Sequence, residues 1–246
     1  MFLNTTLVVS VMLTLAATAS HGANLILNGT FEGGSISNWT PVSQAFPNTS
    51  GSCNLSFASQ STASGCQTGI NPVSGSYAAY ASTSFPVIAN STGEWINYLN
   101  QDFVVPLSVS SGILTWSDSA VWNGSGTFRG VDVLVQLYNG GTFLSNQYSV
   151  QNPGSSGQEL WTTHSWDVTS ILQANPNATL TLKLTALAFY DTRSGPGSSA
   201  TTLNAGFDDV ALNVASSTPE PATIGLTGAA LLCLGLIRRR HRGNKL

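Results

Sequence analysis

Two stretches of strict alternation constrain this chain more than anything else in it. Val131, Val133, Val135 and Leu137 alternate with Asp132, Leu134, Gln136 and Tyr138. Leu180, Leu182, Leu184 and Ala186 alternate with Thr179, Thr181, Lys183 and Thr185. A period of two sends successive side chains to opposite faces of a strand. Each run therefore offers an aliphatic ridge on one side and a polar row on the other, as in a sheet with one buried face. Asn139-Gly140-Gly141 follows the first run as a hairpin turn, and Thr142 to Leu144 starts the return strand. Further strands are expected at Leu25–Asn28, Tyr77–Ser82, Trp95–Val105, Ile113–Ser117, Ser145–Val150, His164–Asp167 and Phe207–Val214. Only Val168 to Gln173 reads as helical, for a turn or two. Long polar loops are expected at 43–74, 151–160 and 191–204. Many strands punctuated by Gly, Pro and Asn turns predict an all-β domain, a two-sheet antiparallel sandwich or a barrel.

The two ends of the chain read differently. Leu7 to Ala19 is an apolar stretch closed by Ala17-Thr18-Ala19, a small-x-small cleavage pattern, with a second candidate cut after Ala23. Residues 1–23 are thus expected to be a signal helix, although the segment before Leu7 carries no Lys or Arg. At the other end, Pro219-Glu220-Pro221 precedes an apolar run from Ala222 to Ile237 and then Arg238-Arg239-Arg240-His241-Arg242. As a helix that run would be about 24 Å long, short of the roughly 30 Å hydrocarbon core. Arginine stems reaching to the headgroups help a short helix span. Arginines beside an apolar segment stay cytoplasmic, so the preceding chain is expected outside.

The C-terminal stretch resembles the PEP-CTERM sorting signal of Gram-negative bacteria. The resemblance rests on Pro219-Glu220-Pro221-Ala222-Thr223, the Gly/Ala/Leu transmembrane helix and the arginine cluster, in that order. It implies export through the inner membrane, recognition by an exosortase that cleaves at or near the motif, and a cell-surface or extracellular destination. It also implies association with exopolysaccharide and biofilm. A eukaryotic lipid-anchor signal is the nearest rival, and its hydrophobic tail normally runs to the terminus without such arginines. The expected organisation is a signal peptide (1–23), a β-domain (24–214), a linker (215–218) and the sorting signal (219–246).

The charge of the exported part is masked by its tail. Between residues 24 and 218 there are three basic residues, Arg129, Lys183 and Arg193, against ten acidic ones, a balance of −7, whereas the whole chain carries −3. Such a domain repels nucleic acid and anionic membrane surfaces, so no nucleic-acid partner is expected. Cys53 and Cys66 lie in this part, and an exported pair separated by twelve residues reads as a disulfide. Closing a loop of that size stabilises by roughly 3 kcal/mol on the chain-entropy account.

A second resemblance brackets the domain. It opens Asn24-Leu25-Ile26-Leu27-Asn28-Gly29-Thr30-Phe31-Glu32, with Trp39 further on, and closes Ala205-Gly206-Phe207-Asp208-Asp209-Val210-Ala211-Leu212. These segments look like the galactose-binding-like jelly roll of many carbohydrate-binding modules. The resemblance implies a jelly-roll sandwich with its first and last strands adjacent and a structural Ca²⁺ between them. The matching positions are Glu32, the backbone carbonyl of Thr30 and an aspartate of the closing strand. Parity places Asp208 with Val210, Leu212 and Val214, so it is expected to point inward. An inward carboxylate needs a cation or several hydrogen bonds, and oxygen ligands alone suit Ca²⁺. The alternatives are that Asp208 only accepts backbone N–H bonds from the first strand, or that the parity is off by one residue.

Catalytic motifs are absent from the sequence. There is no G-x-S-x-G and no H-E-x-x-H, and His164 stands between Trp161 and Trp166 as a packed strand residue would. Aromatic side chains are the remaining handle, since all six tryptophans fall in the β-domain. Most should pack in the core. Trp122 beside Asn123, and Trp95 near Asn97 and Tyr98, are the candidates for stacking on a sugar ring. The first expectation is therefore a non-enzymatic surface or matrix protein. A carbohydrate-binding module recognising a specific glycan is the alternative, and a secreted hydrolase stands third.

Overall fold

The computed structural model describes residues 22–46, 55–61, 70–85, 92–123, 128–151, 156–191 and 201–216. Residues 1–21 of the signal segment, Cys53, Cys66, Pro219, Glu220, Pro221 and Arg238 to Arg240 lie outside the described residues. No helix among the described residues is long and apolar enough to cross a membrane.

Eleven strands and one short helix make up the described chain. In order they are β1 (Ala23–Asn24), β2 (Thr40–Phe46), β3 (Leu55–Gln60), β4 (Ala78–Phe85), β5 (Thr92–Val104), β6 (Ser111–Asn123), β7 (Phe128–Asn139), β8 (Thr142–Gln151), β9 (Ser156–Asp167), α1 (Thr169–Ala174), β10 (Thr179–Asp191) and β11 (Thr201–Ala215). The first sheet runs β3-β4-β11-β6-β9, with β1 on β11; the second runs β2-β5-β10-β7-β8. Every pairing is antiparallel. From β4 onward the strands divide as 4-11-6-9 and 5-10-7-8, an eight-stranded jelly-roll order, and β3 and β2 extend one edge of each sheet.

The alternating runs do what their period requires. Val131, Val133, Val135 and Leu137 of β7 and Leu180, Leu182 and Leu184 of β10 are buried between the sheets. The first sheet answers with Leu114, Trp116, Leu203, Ala205, Phe207, Val210, Leu212 and Val214. Each large aliphatic side chain so buried contributes about 1.5–3 kcal/mol.

Several expectations need correction. The opening strand spans only Ala23–Asn24, not Leu25–Asn28. The Asn24 carboxamide oxygen accepts the N–H groups of Ile26 and Leu212, both at 3.0 Å, and so ends the ladder. The buried Gln101 side chain then takes the role of a partner strand, accepting from Leu27 N–H (2.7 Å) and donating to Leu27 carbonyl (2.8 Å). The expected loops 43–74, 151–160 and 191–204 contain all of β3, most of β2 and the starts of β9 and β11. Small and polar residues hid these strands: Leu55–Gln60 reads LSFASQ, with a single aromatic, Phe57, buried inward.

Candidate functional site

The outer face of the second sheet carries a cleft of about 290 Å³ to which all five strands contribute. Register builds it. Val42, Tyr98, Thr185, Leu134 and Tyr148 stand opposite one another in a single row from β2 to β8. The next row brings Lys183 beside Gln136. Ile96, Leu187 and Asp132 form the row on the other side.

Tyr98 and Tyr138 flank the Lys183 ammonium, which lies 4.2 Å and 4.5 Å from their ring centroids. This cation–π sandwich immobilises the lysine and both rings together. Burial holds the Lys183 ammonium below its ordinary pKa. Burial also raises the Tyr138 hydroxyl, partly offset by a hydrogen bond with Gln136. Thr185 hydroxyl donates to Gln136 Oε1 at 3.1 Å, which fixes the amide on the cleft floor. Tyr148 and Gln44 stand exposed at opposite margins. The face therefore combines phenol rings, two amides, a carboxylate and one ammonium on a rigid platform.

The structure treats the three aromatic candidates differently. Tyr98 lines the cleft. Trp95 cannot join it, because it lies three positions before Tyr98 on the same strand, an odd offset that puts the two on opposite faces. Its ring packs partly buried against the core, and its indole N–H donates to Ser43 Oγ at 2.9 Å. Trp122 is also a correction: it is only 7% exposed, on the inner face among core residues. Its neighbour Asn123 points the other way, so the pair cannot act as one surface site. Tyr138, Tyr148, Lys183 and Gln136 were missed. For Tyr138, Gln136 and Lys183 the signal was present in the polar rows of the two alternating runs, but only pairing sets those rows side by side and brings Tyr148 to their margin.

Glu32 and Asp208 converge on one short segment, residues 74–77. Glu32 carboxylate accepts the N–H groups of Ser76 (2.8 and 2.9 Å) and Tyr77 (3.0 Å). Gly75, at φ +55°, lies so close beneath that carboxylate that any Cβ would collide with it. Asp208 accepts from Asp209 N–H at 2.8 Å and Ser74 N–H at 3.4 Å. Thr30 belongs to the same turn, which Val210 N–H ties to β11 through a 3.0 Å bond to Gly29 carbonyl.

Asp208 is fully buried, but the parity reading is corrected: it lies on the outer face and not between the sheets. A bulge between Asp208 and Ala211, with Asp209 at φ +50°, inserts one residue into β11. Phe207 faces the core before the bulge, and Val210 faces it after. Asp208 thus lies on the outer face of the first sheet, near Tyr80 and beneath Ser74. Burial pushes its carboxyl up to about 7, with Asp209 and Glu32 adding to the rise and the two N–H bonds opposing it. Tyr80 is raised by burial and then by Asp208, and its hydroxyl is buried with no hydrogen-bond partner among the described residues.

No protein-family model and no curated protein matches the sequence. Solved structures with a similar arrangement include carbohydrate-binding modules. One is the module TmCBM61 in complex with β-1,4-galactotriose, at 14% identity and TM-score 0.39, covering 77% of this chain and 97% of that one. Another is the CBM22-1 xylan-binding domain of Paenibacillus barcinonensis Xyn10C, at 12% identity and TM-score 0.33, covering 82% and 100%. A cyclase from Fischerella sp. TAU is similar to the same degree, at 14% identity and TM-score 0.36, covering 80% and 99%. The set contains both binding modules and an enzyme, and similarity of this order transfers no ligand.

A separate cluster lies on the inner face of the first sheet, on β6 and its edge strand β9. Asp118, Glu159 and His164 each offer an atom within 4.8 Å of the others. His164 Nε2 is 3.2 Å from Asp118 Oδ1, and Trp116 indole N–H donates to Asp118 Oδ2 at 2.7 Å. The hydrogen bond to Asp118 holds the His164 imidazole above its ordinary pKa against the opposing effect of burial. Burial, then Asp118, raises Glu159, while His164 opposes the rise.

Proposed function

We propose that this domain binds a glycan chain along the outer face of the second sheet, without acting on it. The observation that supports this reading is the five-strand cleft in which Tyr98 and Tyr138 hold Lys183 and Tyr148 stands at the margin. Phenol rings offer flat apolar faces to the C–H face of a pyranose. Gln44, Gln136, Asp132 and Lys183 offer donors and acceptors of the kind that orient sugar hydroxyls. Residues on paired strands keep these groups in place before a ligand arrives, which lowers the entropic cost of binding.

Titration calorimetry after a glycan-array screen tests the proposal. Tyr98→Ala and Tyr148→Ala are each expected to weaken binding about tenfold or more, roughly what one stacked ring contributes. Trp122→Phe, on the inner face, should leave affinity unchanged. An array with no hit, or a Tyr148→Ala variant that binds as the parent does, would remove the proposal.

The sequence signals at the two ends support export and exosortase processing, with the domain released to the cell surface or extracellular matrix. Exopolysaccharide is then the nearest glycan. Retention of Arg238 to Leu246 in the intact mass of the mature protein would exclude cleavage. We also propose that Glu32, Asp208 and the Thr30 carbonyl hold a structural Ca²⁺. The donors are all oxygen, which is the chemistry calcium selects. Among the described residues the buried Asp208 carboxylate has two N–H partners to offset its desolvation. A bound cation would stabilise the ionised form and clamp the 28–34 turn, the 74–77 segment and β11 together.

A further inference from the structure

We propose that Asp118, Glu159 and His164 form a binding site for a divalent transition metal, with Zn²⁺ the best-matched ion. This site is separate from the glycan cleft and from the all-oxygen group around Asp208, and it does not depend on either reading.

A local irregularity of the sheet creates it. Asp118 pairs with Thr162, yet Ala120 pairs with Glu159, so β9 advances three residues while β6 advances two. In an unbroken ladder Leu160 would oppose Ala120, and Glu159 would face away from Asp118. The bulge turns the Glu159 carboxylate to the inner face, where Asp118 and His164 already point. Ser119 hydroxyl donates to Glu159 carbonyl at 2.8 Å and pins the bulged backbone to β6.

Trp116 supports two of the three donors from the core. It is fully buried and donates its indole N–H to one oxygen of Asp118, which leaves Oδ1 directed at the cluster. Its ring stacks on the His164 imidazole at 5.1 Å and 22°, which sets the plane of that ring. Outer partners that fix the orientation of ligating side chains are a recurrent part of metal sites. Glu159 carries no comparable support among the described residues and supplies the adjustable ligand.

Ligand chemistry selects the ion. Two carboxylates and a neutral imidazole give a net charge of −2, which a divalent cation cancels. An imidazole nitrogen favours zinc and its first-row neighbours over calcium or magnesium. Donor atoms about a tetrahedral zinc sit roughly 3.4 Å apart, so a small rotation of Glu159 closes the present spacing. Three protein ligands leave a fourth position for water. The site can fill from solvent, since the His164 side chain is 21% exposed on an edge strand while Asp118 is only 1% exposed.

The experiment uses the full-length chain, purified without an affinity tag and stripped with chelator. Calorimetric titration with Zn²⁺ is expected to show a site with a dissociation constant of about 10 μM or tighter, and a millimolar excess of Ca²⁺ should not displace the metal. His164→Ala and Glu159→Gln should each weaken that site at least tenfold, with far-UV circular dichroism unchanged. Glu159 is partly exposed, so its variant keeps the test open if the histidine variant unfolds. Co²⁺ in place of Zn²⁺ should give visible absorption bands that the His164→Ala variant lacks. Zinc uptake of equal affinity in both variants would overturn the proposal, because it would assign the metal to other donors such as His21 or His241. Absence of uptake by the parent chain would overturn it as well.

Discussion

Gly29→Ala is expected to lower the unfolding free energy by about 3 kcal/mol or more. A Cβ at this position would lie 2.8 Å from the Val210 carbonyl carbon and closer still to its oxygen. Both neighbours are backbone, so no side-chain rotation relieves the overlap. The turn must lift from β11, and the 3.0 Å bond from Val210 N–H to Gly29 carbonyl breaks with it. The damage spreads because the turn is a packed unit. Phe31 is fully buried at φ +56°, its ring meets Trp39 at 5.8 Å, and Trp39 indole N–H donates to Asn28 carbonyl at 3.2 Å. Gly33→Ala is the control, since its Cβ would meet nothing nearer than Ser35 Oγ at 4.0 Å. Urea unfolding of both variants checks the prediction. A Gly29→Ala protein within about 0.5 kcal/mol of the parent would mean that the turn does not dock on β11.

Asp208 is expected to make the metal-free protein less stable as pH rises. Its carboxyl titrates near 7 when folded against an ordinary value of 3.8, chiefly because it is buried. Between those values the folded state binds a proton that the unfolded state has released, so stability falls with increasing pH. Below pH 3.8 both states are protonated and no penalty exists. Above pH 7 the penalty is complete, on the order of 4 kcal/mol. Unfolding in chelator at pH 4.5 and at pH 7.5, for the parent and for Asp208→Asn, isolates the effect. The parent should lose several kcal/mol more than the variant across that interval. Calcium at millimolar concentration should restore the parent at pH 7.5, because it binds the ionised form, and should leave Asp208→Asn nearly unchanged. Equal pH dependence in parent and variant would show that the carboxylate is not desolvated as the fold implies. A pH dependence that calcium does not relieve would count against the metal alone.

Much of the sandwich was legible because its core strands repeat a simple pattern. Val131 to Leu137 and Leu180 to Ala186 declared their buried faces, and the Asn139-Gly140-Gly141 turn declared that β7 and β8 are neighbours. The same runs contain the cleft, since Tyr138, Gln136 and Lys183 are their polar partners. Nothing local relates residue 98 to residue 183 or residue 136, so the sequence does not mark them as one site. Strand parity sends the tryptophans Trp122 and Trp95 to the inner face.

Bulges account for the remaining difference. Strict alternation assigned Asp208 to the inner face with Val210, and one extra residue at Asp209 reverses parity within β11, so Asp208 is buried on the outer face instead. In β9 a similar slip carries Glu159 round to Asp118 and His164, where an unbroken count would have sent it away.

By itself, the sequence determined the fold class, the faces of the central strands, the adjacency of the two ends of the domain and the candidates Glu32, Thr30 and Asp208. The first two follow from side-chain periodicity; the adjacency of the ends and the three candidates are what the resemblance carried by the opening and closing segments implies. Only the tertiary structure decided which polar rows share a face, which aromatic rings reach solvent and which carboxylates meet. Those outcomes depend on strand register, and register is set by the summed packing of two sheets rather than by any one strand.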